Sequence, residues 1–387
     1  MDLCIIMIFR GPEEPFSPLL TGGTAGETGR PLSMFESSRI DSILVRAPNW
    51  IGDAVMSLPA VGAIGGLFPG AALAVLAKPW VRDVYGGDDA AATEVLTYEA
   101  PGRHGGAGGL VRLAAELRAR RFDLAVLLQN AFEAALIAAA AGIPQRVGFD
   151  VQLRGPLLTT PVRLTRELLD GHHVDYYMAV AEALGAARPE RPRPVIRLGA
   201  DELDRADRIL SREGIDASVP FVAMAPGASY GPAKRWHPLR FARAATALGR
   251  SLGAPVVVFG GPGDMDTARK VEEGTGTTVF NLAGRLQLRE FMAVAARSAL
   301  FLTNDSGPMH IAAALGVPTV AVFGSTDPKR TGPLGAHTAV VSSPPPCSPC
   351  FERTCRYGHY DCLDAVSTES VVEAALGLAE RAAGRRR

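Results

Sequence analysis

Short apolar runs alternate with amphipathic stretches along most of the chain. Ser42–Ala47 (SILVRA) reads as a buried strand and Pro48–Gly52 as a turn. A helix is expected from Asp53 to about Phe68, bent by Pro59. The same grammar predicts strands at Ala72–Ala77, Glu94–Tyr98, Asp123–Leu128 and Val147–Phe149, with helices at Gly109–Arg121, Phe132–Ala141 and His172–Leu184. Leu110, Leu113, Ala114 and Leu117 share one face of the 109–121 helix, with basic residues opposite. Strands and helices alternating at this spacing predict a parallel sheet covered on both faces.

Ala187–Pro194 (ARPERPRP) interrupts the pattern with three prolines, as a stiff linker would. Beyond it the pattern restarts. Strands are expected at Phe221–Ala225, Pro255–Phe259 and Val279–Leu282, and helices at Asp201–Arg212, Pro238–Leu252 and Leu288–Ala296. Ala299–Gly324 (ALFLTNDSGPMHIAAALGVPTVAVFG) is the clearest unit: strand, polar turn, buried helix, stop and strand. Pro308 suits a first helical turn, where no backbone N–H is required. In a doubly wound sheet such a turn sits where ligands bind, with free N–H groups and the helix dipole favouring phosphate. Ser367–Ala383 reads as a terminal helix capped by Ser367 and stopped by Gly384, with Arg385–Arg387 a frayed tail. The fold class expected is α/β: two Rossmann-like doubly wound domains facing across a cleft. Residues 1–40 form an extension, 41–190 and 191–366 the two domains, and 367–387 a closing helix and tail.

Composition changes this picture little. The 387 residues are 47% hydrophobic with a formal net charge of zero, which argues against a dedicated nucleic-acid binder. No apolar run approaches the length needed to span a bilayer. Leu3–Phe9 lacks the flanks of a signal peptide, and Gly11–Ser38 has the composition of a disordered segment. Met34, just before the first strand, is an alternative start. Without an export signal the cytoplasm is expected, where disulfides are disfavoured.

Several residues read two ways. Asp53 is a helix N-cap or a general base, the latter if its cleft excludes enough water to raise its basicity. Lys234, in a Gly/Pro-rich loop after a strand, is a surface lysine or a counter-charge for phosphate. Ser229 caps a turn or donates to a phosphate oxygen, and Trp236 packs. Asp264 caps a helix or holds ribose hydroxyls. Asp305 accepts hydrogen bonds from sugar hydroxyls or caps its helix. Ser306, Gly307 and Met309 offer backbone N–H groups to a diphosphate, whereas Pro308 has none. His310 is a core histidine or a phosphate ligand. Asp264 and Asp266 spell D-x-D but appear where a helix opens, which discounts metal. Cys347, Cys350, Cys355 and Cys362, with His359 nearby, are suitable zinc ligands at a spacing unlike a standard zinc ribbon, or reduced thiols.

Four pieces in order carry a resemblance: RAPNWIGDAVMSLPA at Arg46–Ala60, APGASYGPAKRWHP at Ala225–Pro238, LTNDSGPMHIAAALGVPTVAVFG at Leu302–Gly324, and CSPCFERTCRYGHYDC at Cys347–Cys362. Together they resemble glycosyltransferase family nine, the bacterial heptosyltransferases, from about Ile43 to Glu380. The resemblance implies the B-type two-domain fold and inverting transfer that requires no metal or other cofactor. The donor would be ADP-heptose, held on the C-terminal domain. The acceptor would be the lipid-A-linked inner-core oligosaccharide, on the N-terminal domain. It favours Asp53 as the base and Lys234 with the Ser306–His310 turn as the diphosphate site. It leaves open whether the cysteines bind metal. A lipid acceptor implies peripheral contact with the cytoplasmic face of the inner membrane, with Arg112, Arg118, Arg120 and Arg121 candidates for its phosphates. Other family-nine transfers, a non-catalytic nucleotide-sugar binder and a sugar-nucleotide epimerase are the alternatives.

Overall fold

The computed structural model describes residues 40–87 and 91–384. The expected disordered extension, apart from its last residue, the alternative start at Met34 and the arginine tail lie outside the described residues. Two six-stranded sheets organise the rest. The first contains β1 (Ser42–Arg46), β2 (Ala72–Ala77), β3 (Glu94–Thr97), β4 (Leu124–Leu127), β5 (Gln145–Phe149) and β6 (Thr160–Val162), in the order β3-β2-β1-β4-β5-β6. The second contains β7 (Val222–Ala225), β8 (Val256–Val258), β9 (Val279–Asn281), β10 (Leu300–Asn304), β11 (Thr319–Phe323) and β12 (Thr338–Ser342), in the order β12-β11-β10-β7-β8-β9. All neighbours pair in parallel. Counted within each half, both orders are that of the dinucleotide-binding fold.

Continuous apolar strands are what a sheet covered on both faces requires. In β1, Ile43 and Val45 enter one core while Leu44 enters the other. In the second sheet, Leu300 and Leu302 share a face with Val320 and Val322, and Phe301 faces the opposite way. The edge strands β6 and β12 are not among the strands expected; their side chains are partly buried or exposed.

The two halves meet through helix Ile51–Leu67, which follows β1, and helix Gly307–Ala314, which follows β10. Both connections leave the carboxyl edge of a strand beside the point where strand order reverses. Glycine makes the approach possible. A Cβ on Gly52 would stand 2.9 Å from His310 Cδ2, and one on Gly307 would stand 2.9 Å from Ile51 Cβ. Ile311 and Ala314 consequently belong to the same core as Val55 and Met178. Helix Thr368–Gly384 packs on helix Pro238–Leu252, and the Ser367 hydroxyl accepts from the Ser370 N–H at 3.1 Å, as a cap does.

Candidate active site

Asp53 lies in the first turn of helix Ile51–Leu67, not at its cap, because the helix begins two residues earlier with Trp50 at the N-cap position. Its carboxylate is about a quarter exposed. Tyr177 donates its hydroxyl to Asp53 Oδ1 at 3.0 Å, and His173 Nδ1 stands 3.5 Å from the same oxygen. These partners are one turn apart on helix His173–Glu182. Burial pushes the carboxyl upward, but hydrogen bonding and charge from His173, then Tyr177 and His310, outweigh it and hold the pKa below the usual value. The expectation of raised basicity is therefore corrected: desolvation operates, but local partners stabilise the anion more strongly.

Across the contact, Lys234 ends a 3₁₀ turn, Pro232–Lys234. Its ammonium reaches Asp305 Oδ2 at 2.6 Å and lies 4.8 Å from the Tyr230 ring centroid. Thr326 donates to the same Asp305 oxygen at 2.6 Å, and Asp305 is only 3% exposed. The Asp305 carboxylate thus fixes the lysine. Asn304, fully buried, holds the two loops together: Oδ1 accepts the Trp236 N–H at 3.0 Å and Nδ2 donates to Pro226 O at 2.7 Å. Trp236 is fully buried and donates to Val366 O at 3.1 Å, in keeping with a packing role.

Ser306 occupies the N-cap of helix Gly307–Ala314 without a side-chain cap bond. Its hydroxyl lies 3.3 Å from Asn304 O and 3.4 Å from Thr303 Oγ1. The Met309 N–H is taken by Ser306 O at 3.1 Å, and Pro308 has no N–H, so Ser306 and Gly307 are the amides left for an anion. Met309 is fully buried. Burial depresses His310 to about 4, against the attraction of Asp305 and Asp53, so its imidazole is neutral at neutral pH. The starts of two helices, neither capped by a side chain, therefore converge at the boundary between the halves. Their positive ends favour negative charge there.

Known proteins of similar sequence and fold identify the family. The sequence profile described as Glycosyltransferase family 9 (heptosyltransferase) matches residues 110–361. The chain belongs to that family. It is 32% identical over 310 residues to lipopolysaccharide heptosyltransferase 2 of Escherichia coli (strain K12), covering 77% of this chain and 87% of that protein. Lipooligosaccharide heptosyltransferase 2 of Haemophilus influenzae is 30% identical over 318 residues, covering 78% of this chain and 88% of its own. The solved structure of E. coli ADP-heptose lps heptosyltransferase II superposes with a TM-score of 0.74 at 28% identity, covering 88% of this chain and 99% of that one.

In this family-nine glycosyltransferase other expected positions are open to solvent or bonded within the protein. Ser229 is exposed in the loop after β7. Asp264 Oδ2 accepts the Gly261 N–H at 3.0 Å, and the carboxylate lies so close to Gly227 that a Cβ there would overlap it. Asp266 pairs with Arg269 and Lys270, each at 2.7 Å. Arg118 donates to Ala140 O at 2.6 Å and Arg120 pairs with Glu94 at 2.5 Å, at the end of their helix remote from the carboxyl edge of β3. Those two arginines brace the protein's own surface.

The four cysteines carry free thiols and line one small cavity with His359 and Tyr360, beside Ala233 and Ser325. Among the described residues no three His, Cys, Asp or Glu side chains are arranged to hold a metal ion. Burial, and then its neighbouring thiols, pushes Cys362 up to about 11. The residues as placed do not fit zinc. The loop instead braces the site: Arg353 O accepts the Ala233 N–H at 3.0 Å, Phe351 O accepts the Tyr230 hydroxyl at 2.5 Å, and Ser325 O accepts the Cys350 and Phe351 N–H groups.

Sequence reasoning missed His173, Tyr177 and Asn304. The spacing of His173 and Tyr177, one turn apart, was a usable signal that both could reach one partner.

Proposed function

We propose that the protein is an inverting glycosyltransferase that moves L-glycero-D-manno-heptose from ADP-heptose to the first heptose of the lipopolysaccharide inner core. The observation carrying this reading is the meeting of the two helix starts. It brings an ionised Asp53 from one half against the His310 turn of the other, in a chain of a heptosyltransferase family. In this reading residues 41–190 take the acceptor. Residues 191–366, including the loop 347–362, take the donor, and residues 367–387 close the second half.

The acceptor hydroxyl oxygen bonds to the anomeric carbon as the carbon–oxygen bond to the diphosphate breaks on the opposite face. ADP leaves with that electron pair, and the hydroxyl proton passes to Asp53. A carboxylate held below its ordinary pKa accepts the proton only as the new bond forms and acidifies the oxygen, so proton transfer accompanies attack. Lys234 and the Ser306 and Gly307 amides oppose charge developing on the diphosphate, and neutral His310 can donate one N–H to it. Asp305 keeps Lys234 in place. Asp264 and Asp266 are both held by protein partners, which supports a reaction in which this D-x-D pair carries no metal.

Among the described residues no helix is long and apolar enough to cross a membrane. In this reading the enzyme works in the cytoplasm and meets its lipid acceptor peripherally, at the inner membrane's cytoplasmic face. The test is transfer from ADP-heptose to purified lipopolysaccharide truncated after its first heptose, with release of ADP. Transfer confined to an acceptor lacking heptose, or consumption of donor with no acceptor product, would overturn the assignment.

A further inference from the structure

Two indoles stand open at the turn that begins the Asp53 helix. Trp50, at the N-cap of the Asp53 helix, is 49% exposed, and Trp80, just beyond β2, is 50% exposed. Both are held in place. The Trp80 indole N–H donates to Asn49 O at 2.7 Å, and Arg46 donates to Asn49 Oδ1 at 2.9 Å. The turn carrying Trp50 is thus held through Asn49 by both Trp80 and Arg46, while the Trp50 ring stays half exposed. Large apolar rings left open at the start of a helix that carries a reacting carboxylate mark a binding surface.

From the other half, exposed Arg353 of the cysteine-rich loop places its guanidinium 5.9 Å from the Trp50 ring centroid and 5.2 Å from that of Tyr230. No carboxylate pairs with it among the described residues. Its backbone is fixed, because Arg353 O accepts the Ala233 N–H and a Cβ on Gly231 would collide with that oxygen. A cation resting on two rings keeps its N–H edge free for an anion.

We propose that Trp50 and Arg353 form the subsite for the acceptor sugar: the indole stacks on the pyranose ring, and the guanidinium binds an anionic group on the same saccharide. This deepens the proposed function and rests on it. The arrangement also ties the cysteine-rich loop to acceptor recognition, a task that its contacts with Tyr230 and Ala233 alone do not suggest.

The test uses the full-length protein and a deacylated inner-core oligosaccharide bearing one heptose. Binding is measured by calorimetry without donor, and transfer is measured with each substrate varied in turn. Trp50→Ala should weaken oligosaccharide binding and raise the acceptor KM about tenfold or more, with ADP binding and the donor KM within twofold of wild type. Trp50→Phe should restore most of the loss. Arg353→Ala should raise the acceptor KM at low salt, by a factor that shrinks as salt screens the contact. Oligosaccharide binding unchanged in Trp50→Ala, or a donor KM rising in step with the acceptor KM, overturns the subsite. Binding by wild type without transfer would refute the proposed reaction and leave the subsite standing. Absence of binding by wild type would refute both.

Discussion

The turn after β1 and the turn after β10 both leave a central strand beside the point where strand order reverses, yet they are built differently. After β10 the polar side chains are buried and mutually engaged: Thr303 and Asn304 are fully buried, and Asp305 grips Lys234. After β1 the key carboxylate is partly open, and its partners come from a helix more than a hundred residues later, His173–Glu182. The difference matches the two tasks. A diphosphate site gains from fixed donors aimed where charge will develop, since nothing must reorganise during reaction. A proton acceptor must instead meet a hydroxyl arriving from outside, so its face cannot be sealed.

The sharpest way to break this contrast is Asp53→Asn. Removing the proton acceptor should cost about 10²–10⁴-fold in turnover. ADP affinity, measured by calorimetry, should stay near normal because the other half binds it. Turnover within tenfold of wild type would remove Asp53 from the chemistry.

Lys234→Ala should act on both stability and rate. Among the described residues it leaves the Asp305 carboxylate buried with the Thr326 hydroxyl as its one remaining side-chain hydrogen-bond partner. Breaking a buried pair this way costs about 3–5 kcal/mol, readable as a lower denaturant midpoint. Lys234→Ala with Asp305→Asn should recover much of that stability while transfer stays impaired. Full transfer by the double variant would reduce Lys234 to a structural residue.

A smaller effect concerns the boundary itself. His310 falls from 6.5 to about 4 through burial, so the unfolded chain takes up its proton first as pH drops. The associated stability is complete above pH 6.5 and is lost as pH falls toward 4, by about 2 kcal/mol at pH 5. His310→Leu should flatten that part of the stability–pH curve. Gly52→Ala, which forces the imidazole away from helix Ile51–Leu67, should reduce the slope. An unchanged slope in His310→Leu would show that another group is responsible.

Much of the site was legible in residues that announce themselves locally. Gly52-Asp53, Lys234 in its Gly/Pro loop and Ser306–His310 each sit where a strand yields to a helical turn, a feature of neighbouring residues. What stayed hidden was long-range. Asp264 bonds Gly261 and Arg118 bonds Ala140, contacts that their own neighbours in sequence do not announce. The spacing of His173 and Tyr177 pointed to a shared partner without saying which, and Asn304 gave no sign of its own, because a hydrogen bond across the fold leaves its far end unmarked in local spacing. The cysteines show the same limit: their spacing admits a metal, and whether the thiols converge in a ligating geometry is set by how the loop packs.

By itself, then, the order of apolar and polar residues determined two parallel sheets with covered faces, because burial of continuous strands and amphipathic helices depends on local periodicity. It also determined where the phosphate-type turn and the helix bearing Asp53 stand in the chain. Only the tertiary structure decided that Asp53 would be held as an anion, that His310 would be neutral, and that Arg353 would lie across Trp50. Protonation and reach depend on solvent exclusion and on charges brought close by packing, and those exist only once the halves have met.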